Sequence, residues 1–344
     1  MRLPLLILAL ALSDCAPKSD VRRWYAEGIE AQRAGRSEEA RASFQRVLAE
    51  GPATEGIHNS LALLDVQEGK SDAALVHLAE ELKLHPSLAA ARVNEALVLY
   101  LSGDLARAGQ KALSAIGSFP EDGPAHLVLG LVLVANGEDP RRAEDTLGRA
   151  VQLGEPSTRA AALFARGVLL ARQGRAVESA EDFRAVTLLR QDALAHYNRA
   201  LMLAQAGKLE DAVSAVRLAA AVDADAAPIP HLEAVLLAKL QRPSEAREAL
   251  AATEKRDPAR PGLRLLAGVL LAGEKKWPEA ALAFREETER SPGLADAWFN
   301  LGVGLVQTGD LAGARAAFAH AAMVDPADAE AARNAEALTK ALGP

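Results

Sequence analysis

The side chains that could carry out chemistry are few, and their spacing does not converge on one site. The chain of 344 residues has seven histidines and one cysteine. His58, His126 and His196 occupy the same position of a repeated unit described below, and His231 occupies the next position of another unit. One histidine per unit places these rings one unit apart rather than around an ion. The sequence also lacks GxSxG, HExxH and a glycine-rich phosphate loop after a strand. We therefore expect no catalytic residue, no metal and no cofactor.

The single cysteine points to a different chemistry, which is covalent attachment of a lipid. The apolar run Leu3–Leu12 is too short to span a bilayer and suits the core of a secretory signal. The sequence LSDC that ends this region resembles the lipobox of bacterial lipoproteins, although Asp14 stands where a small uncharged residue is usual. The resemblance implies a signal peptide over 1–14, lipid on Cys15 and a short tether over 15–20. The open alternative is an ordinary signal peptide followed by a leftover cysteine.

Composition narrows the class of protein and of partner. Half of the residues are hydrophobic but only 4% are aromatic, and alanine and leucine supply most of the apolar side chains. This balance favours closely packed helices over a sheet. The formal net charge is −7, and no basic stripe is available to meet phosphates. We therefore expect no nucleic-acid partner. A single cysteine also excludes an internal disulfide.

Residues 295–328 reveal the element that positions these side chains. The spacing predicts one helix from 296 to 307 and a second from 311 to 324, with a break at Gly309 and a stop at Pro326. Counted from Ala295 as position 1, the packing residues are Trp298 (4), Leu301 (7), Gly302 (8), Leu305 (11), Ala314 (20), Phe318 (24), Ala321 (27) and Pro326 (32). This pattern resembles the tetratricopeptide repeat, a helical hairpin of about 34 residues.

The same register recurs through most of the chain. The predicted units are 21–54, 55–88, 89–122, 123–159, 160–192, 193–226, 227–260, 261–294 and 295–328. Position 8 is glycine or alanine in every unit, at Gly28, Ala62, Ala96, Gly130, Gly167, Ala200, Ala234, Gly268 and Gly302. The resemblance implies an all-α, right-handed solenoid of about nine hairpins. The polar and apolar faces of 329–344 predict a C-terminal capping helix, because a solenoid must cover its last hairpin.

Two departures from the family pattern leave alternatives open. Position 7, usually a buried leucine, carries charge at Glu27, Glu95, Arg166, Arg199 and Glu233. Either these units pack more loosely, or the charges pair across neighbouring hairpins. The register also shifts near 138–140 and 154–158, which are either loop insertions or points where the superhelical pitch changes.

The face of the first helix that does not carry the packing residues supplies the candidate binding site. In this family, positions 5, 9 and 12 line the concave groove, and here they are largely apolar. The candidate groove residues are Tyr25, Ile29, Val93, Leu97, Tyr100, Leu127, Leu131, Phe164, Val168, Tyr197, Leu201, Val235, Leu265, Phe299 and Val303. A long apolar strip predicts a partner that inserts an amphipathic helix or an apolar peptide. The alternative is that the protein's own helices bury these residues.

The function that the sequence predicts is a non-catalytic scaffold for protein–protein interaction. With the lipid anchor, the protein would be attached to a bacterial membrane, expected to be the outer membrane, and would face the periplasm. There it would serve assembly of an envelope complex such as a pilus, secretion, motility or outer-membrane machine. Its partners would be other proteins and, through the anchor, the membrane. If the N-terminus is not a signal, the alternative is a cytoplasmic adaptor or a regulatory subunit of an enzyme.

Overall fold

Helices account for all the regular secondary structure among the described residues of the computed structural model, which are 19–137, 139–224, 226 and 228–342. The predicted signal peptide and Cys15 lie outside these ranges. None of the helices within them is long and apolar enough to cross a membrane. The chain divides into two compact units, with the boundary between Arg190 and Gln191.

The described residues of the first unit form five helical hairpins, in which each helix packs against the next one along the chain. Its helices are α1 Ser19–Arg33, α2 Ser37–Glu50, α3 Ile57–Gln67, α4 Ser71–Leu84, α5 Ala89–Leu101, α6 Leu105–Ser118, α7 Gly123–Asn136, α8 Pro140–Leu153, α9 Pro156–Arg172 and α10 Ala176–Leu189. Odd-numbered helices are the first of each hairpin, and successive first helices also touch each other. This is the packing order of a solenoid.

The part of the second unit that the structure describes forms four hairpins and a final helix. Its helices are α11 Ala193–Gln205, α12 Leu209–Val222, α13 Pro228–Lys239, α14 Pro243–Arg256, α15 Leu263–Gly273, α16 Trp277–Arg290, α17 Ala295–Thr308, α18 Leu311–Val324 and α19 Ala329–Leu342. The all-α solenoid class predicted from the sequence is confirmed. The last helix packs on α18, and its Ala335 and Leu338 lie half-buried against the core of the last hairpin.

The turn inside each hairpin explains why glycine recurs at position 15. That position has a positive φ in every hairpin, which L side chains adopt at a cost. Seven hairpins place glycine there, from Gly35 (φ 73°) to Gly309 (φ 86°). The other two hairpins place Gln241 (φ 57°) and Lys275 (φ 61°) in the same conformation. The backbone geometry of the turn is therefore kept even where the favoured residue is not.

The predicted packing register at position 8 is confirmed. In the last hairpin, a Cβ atom built on Gly302 would lie 2.8 Å from ring atoms of Phe318, which is closer than real Cβ contacts come. Gly167 faces Phe183 in the same way at 3.1 Å, and Gly130 faces Leu147 at 2.5 Å. These glycines leave the space into which the large residue of the second helix fits.

Most of the charges at position 7 are paired, although only one of the pairs described here joins neighbouring hairpins. Arg166 donates two hydrogen bonds of 2.7 Å to Asp182 of its own hairpin, and Glu95 lies 2.7 Å from Lys111 of its own hairpin. Glu233 instead accepts from Arg217 of the preceding hairpin at 2.7 Å. Pairing therefore occurs within hairpins as well as across them, and only the second kind was predicted.

Some first helices begin away from the predicted start of their repeat, as α1 does at Ser19. The helix α9 begins at Pro156, four residues before the predicted start of the fifth unit at 160. Proline suits the first turn of a helix because the backbone N–H it lacks would have no partner there. The extra residues near 154–158 are therefore helical from Pro156 onward rather than an inserted loop.

Two buried glutamates hold the starts of helices in a way that the sequence pattern does not reveal. Glu81 of α4 accepts hydrogen bonds from the backbone N–H groups of Gly56 and Asn59 at 2.8 and 3.1 Å. Glu287 of α16 accepts from Gly262 at 2.8 Å and from two further N–H groups of the first turn of α15. Both glutamates occupy position 27 of their units, where alanine is usual in the pattern above. Each carboxylate satisfies orphan donors at the positive end of a helix.

Candidate functional site

The fifteen candidate groove residues differ in exposure between the two units. Five are buried, so the prediction that they line an open groove is wrong for them. These are Tyr25, Val93, Leu127, Leu131 and Phe164, with exposed fractions of 3%, 2%, 3%, 8% and 4%. The other four candidates of the first unit are half-buried, namely Ile29, Leu97, Tyr100 and Val168. All six candidates of the second unit are half-buried: Tyr197, Leu201, Val235, Leu265, Phe299 and Val303.

Aromatic residues at position 5 turn toward their own hairpin. The rings of Phe164 and Phe183 meet edge to face, with centroids 5.3 Å apart. Tyr25 packs on Phe44 at 5.8 Å, and its hydroxyl group lies 3.2 Å from that of Ser60 in the next hairpin. Burial raises the pKa of Tyr25 above its usual value. These rings are bound to the core by aromatic packing and hydrogen bonding, so they offer little surface to a partner.

Neighbouring hairpins bury two of the aliphatic candidates of the first unit, Leu127 and Leu131. Leu127 and Leu131 of α7 share a core cluster with Leu147 of their own hairpin and with Ala161 and Ala165 of α9. Alanine side chains let the next first helix approach closely and cover the leucines. In this part of the first unit, the alternative that the protein's own helices fill the groove is therefore correct.

The second unit keeps a cleft of about 460 Å³ where the first helices of three successive hairpins meet. Such a volume lies in the range of sites that accept small ligands or a few side chains. The cleft contains two predicted groove residues, Val235 and Leu265, together with Val269, which is 40% exposed. The complete lining is His231, Val235, Ala238, Lys239, Pro261, Gly262, Leu265, Leu266, Val269, Leu294 and Asp296. Most of these side chains are apolar.

The residues that precede α15 lie at this cleft, and the helix begins two residues after the predicted start of its repeat. Gly262 has a φ of 84° and precedes Leu263, the first residue of α15. The first two residues of the predicted repeat 261–294 therefore remain outside the helix. Pro261 and Gly262 therefore line the cleft with backbone and a flat ring instead of a helical turn. The proline–glycine pair is visible in the sequence, but its place in the lining of the cleft is not.

The charged groups of the cleft do not favour one sign of ligand. Lys239 and Asp296 contribute one positive and one negative side chain to the lining. The pKa of His231 is lowered, mainly by burial and further by the nearby Arg260, so its ring is neutral at pH 7. Apolar burial is consequently the main attraction that this surface offers.

A second notable cluster lies away from the cleft, in the hairpin of α3 and α4. The Nδ1 atoms of His58 and His77 are 3.0 Å apart, and Nε2 of His77 lies 3.8 Å from Oδ2 of Asp65. The repeat pattern singles out only histidines of first helices, so it does not reveal this pairing within one hairpin. Within the described ranges, no group of three or more His, Cys, Asp or Glu side chains is arranged to hold a metal ion.

Family models identify the repeats independently of this geometry. A model described as tetratricopeptide repeat matches residues 25–64, 59–123, 127–192 and 231–295, and a second model with the same description matches residues 295–328. Together these matches cover well over half of the chain. A comparison with curated proteins finds no significant sequence match.

Solved structures of low sequence identity have a similar fold. The Cut9–Hcn1 hetero-tetramer of APC/C aligns with a TM-score of 0.53 at 11% identity, over 87% of this chain and 59% of that one. PilF of Pseudomonas aeruginosa aligns with a TM-score of 0.49 at 20% identity, over 61% of this chain and 94% of that one. Yeast Tom70 aligns with a TM-score of 0.45 at 13% identity, over 89% and 76%. At these identities, the similarity concerns the fold alone.

Proposed function

The chain belongs to the tetratricopeptide repeat family, and from this premise we propose that it is a non-catalytic scaffold that holds an apolar segment of a partner protein in the cleft of its second unit. The tetratricopeptide fold supports protein–protein interaction in general, and fold alone does not identify a partner. The observation that carries the narrower proposal is the cleft formed by α13, α15 and the start of α17, with Val235, Leu265 and Val269 accessible within it.

The partner segment that suits this cleft is apolar and short. Its volume of about 460 Å³ accommodates a few side chains and not a whole helix. Fully burying one aliphatic side chain contributes about 1.5–3 kcal/mol, from which the cost of association must be subtracted. Several apolar side chains of one extended segment would therefore be needed for stable binding.

The balance of charges around the cleft supports binding by burial. Because Lys239 and Asp296 have opposite signs, capture of a strongly charged segment would gain little net attraction. Interactions between exposed charges weaken as salt is added, whereas burial of apolar surface does not. We therefore expect affinity to change little between low and moderate salt.

The second part of the proposal places the scaffold at a bacterial membrane. Its support is the apolar run Leu3–Leu12 followed by Cys15, the only cysteine of the chain. A lipid on this residue and the short tether that follows would hold the repeats close to the bilayer. From that position, the cleft would serve assembly of an envelope complex on the periplasmic side.

Site-specific photo-crosslinking tests the binding surface in living cells. A photoreactive residue at Val269 should give one main crosslinked partner, because this side chain is 40% exposed within the cleft. The matched control is Leu282 of α16, which is 58% exposed and lies outside the cleft. Val269→Ser should weaken binding of the identified partner by roughly five- to thirtyfold, corresponding to about 1–2 kcal/mol of lost burial. Equal crosslinking from both positions, or affinity that collapses at moderate salt, would reject the cleft as the binding surface.

A further inference from the structure

The rings of His58 on α3 and His77 on α4 face each other through their Nδ1 atoms. Their Nδ1 atoms are 3.0 Å apart, and the ring centroids are separated by 5.3 Å. Two neutral rings can share only one proton between these atoms, so one Nδ1 donates and the other accepts. Both rings are half-buried, which leaves a path for solvent to reach them. Two imidazole nitrogens in this relation are a potential chelating pair.

A buried carboxylate lies beside one of the two rings. Asp65 is 3% exposed, and its Oδ1 accepts a hydrogen bond of 2.8 Å from Arg41. Its Oδ2 is buried without a hydrogen-bond partner and lies 3.8 Å from Nε2 of His77. A carboxylate on this side favours the tautomer with the proton on Nε2, which leaves the Nδ1 lone pair directed at His58. Histidines that bind metals commonly donate this second N–H group to a carboxylate, a backbone carbonyl or water, and Asp65 is the carboxylate within reach of His77.

We propose that His58 and His77 bind one divalent transition-metal ion of the copper or nickel class through their two Nδ1 atoms. With metal–nitrogen bonds of about 2.0–2.1 Å, the separation of 3.0 Å corresponds to an angle of about 94° at the metal. Square-planar and octahedral ions prefer an angle near 90°, whereas tetrahedral zinc would place the nitrogens about 3.3 Å apart. The separation matches the angle that Cu²⁺ and Ni²⁺ prefer.

The charges around the pair are compatible with a bound cation. Arg41 lies 2.8 Å from Asp65 and from Glu68, so two carboxylates offset its positive charge. Water would fill the remaining coordination positions, and the site would be weaker than a closed cage of four protein ligands.

Metal titration of the untagged full-length chain tests the site. We expect one Cu²⁺ per chain by calorimetry and native mass spectrometry, with two nitrogen donors in the electron paramagnetic resonance spectrum. His58→Ala and His77→Ala should each weaken copper binding by at least about tenfold. Asp65→Asn should weaken it by about 10–100-fold, as loss of the group behind a metal-binding histidine typically does.

The chain offers a matched control for this experiment. His126 occupies the same position of another unit, and its Nε2 atom contacts the carbonyl oxygen of Pro120 rather than a second histidine. His126→Ala should therefore bind copper like the wild type. Equal affinity in wild type and in folded His58→Ala and His77→Ala would overturn the site. A wild-type copper spectrum with fewer than two nitrogen donors would overturn it without any variant.

Discussion

The close packing of Gly302 against Phe318 makes a quantitative prediction about paired substitutions. In Gly302→Ala, the new Cβ would lie 2.8 Å from the Phe318 ring, which is 3% exposed and is held edge to face by Phe299. Overpacking of this kind costs about 1–3 kcal/mol, and the better helix propensity of alanine returns up to about 1 kcal/mol. We therefore expect a net loss of about 1–2 kcal/mol in the stability of this hairpin.

A second substitution should recover much of that loss. Phe318→Leu alone leaves a cavity and should cost about 1–2 kcal/mol. In the double variant, the smaller side chain makes room for the added methyl group and reproduces the natural combination of Ala62 and Leu78 in the second hairpin. The two losses should consequently not add, and the coupling between the sites should favour the double variant by about 1 kcal/mol.

Hydrogen exchange read by mass spectrometry over the substituted hairpin, which is α17 and α18 or, for the control, α5 and α6, measures these losses locally, since repeat proteins need not unfold in one step. The control is Gly117→Ala on α6, where an added Cβ meets no atom within 4 Å. This variant should be as stable as the wild type or slightly more so. Additive losses in the double variant, or a loss in Gly117→Ala as large as in Gly302→Ala, would refute the reasoning.

Three shorter predictions concern charge and the N-terminus. Burial raises the pKa of Glu287, but N–H donors from the first turn of α15 outweigh it and leave the pKa below its usual value. The stabilisation that the Glu287 carboxylate contributes is thus complete above about pH 4.3, and it is lost as the pH falls through the lower pKa of the folded state. Glu287→Gln should therefore be less stable than the wild type at pH 7. In thermal melts at acid pH, the two proteins should become equally stable. Arg166→Met leaves Asp182 buried and unpaired, so it should lower the free energy of unfolding measured in urea by about 3 kcal/mol. Adding Asp182→Leu to the same chain should recover most of that stability. An unchanged difference in acid, or no rescue by the second substitution, would contradict these two accounts. Cys15→Ser should move the protein from membranes to the soluble fraction, and membrane association that persists would contradict lipid attachment.

Periodic features of the fold could be predicted from the sequence because they depend on local spacing. Gly302, Phe318 and Pro326 fix the packing face and the stop of one hairpin within a few turns of helix. The partners of position 7 could also have been found, because Glu95 and Lys111, like Arg166 and Asp182, have opposite charges sixteen residues apart. In both hairpins this spacing brings the two charges together across the two helices.

Accessibility of the candidate groove could not be predicted in the same way. Phe164 and Val235 both belong to the apolar strip of first helices, yet Phe164 is buried on Phe183, whereas Val235 lines a cleft. The difference depends on the residue opposite and on where the next first helix begins, which are matters of tertiary packing. The pairing of His58 with His77 could not be predicted because one of the two belongs to a second helix and follows no period.

The two buried glutamates also have a consequence for the order of folding. Glu81 and Glu287 each join the two helices of a single hairpin, over 22 to 25 residues of chain. Contacts over so short a separation close small loops and lose little chain entropy, so they can form early. One such hairpin lies in each unit of the chain. Each half of the protein therefore contains its own place at which folding can nucleate, without waiting for the other half to form.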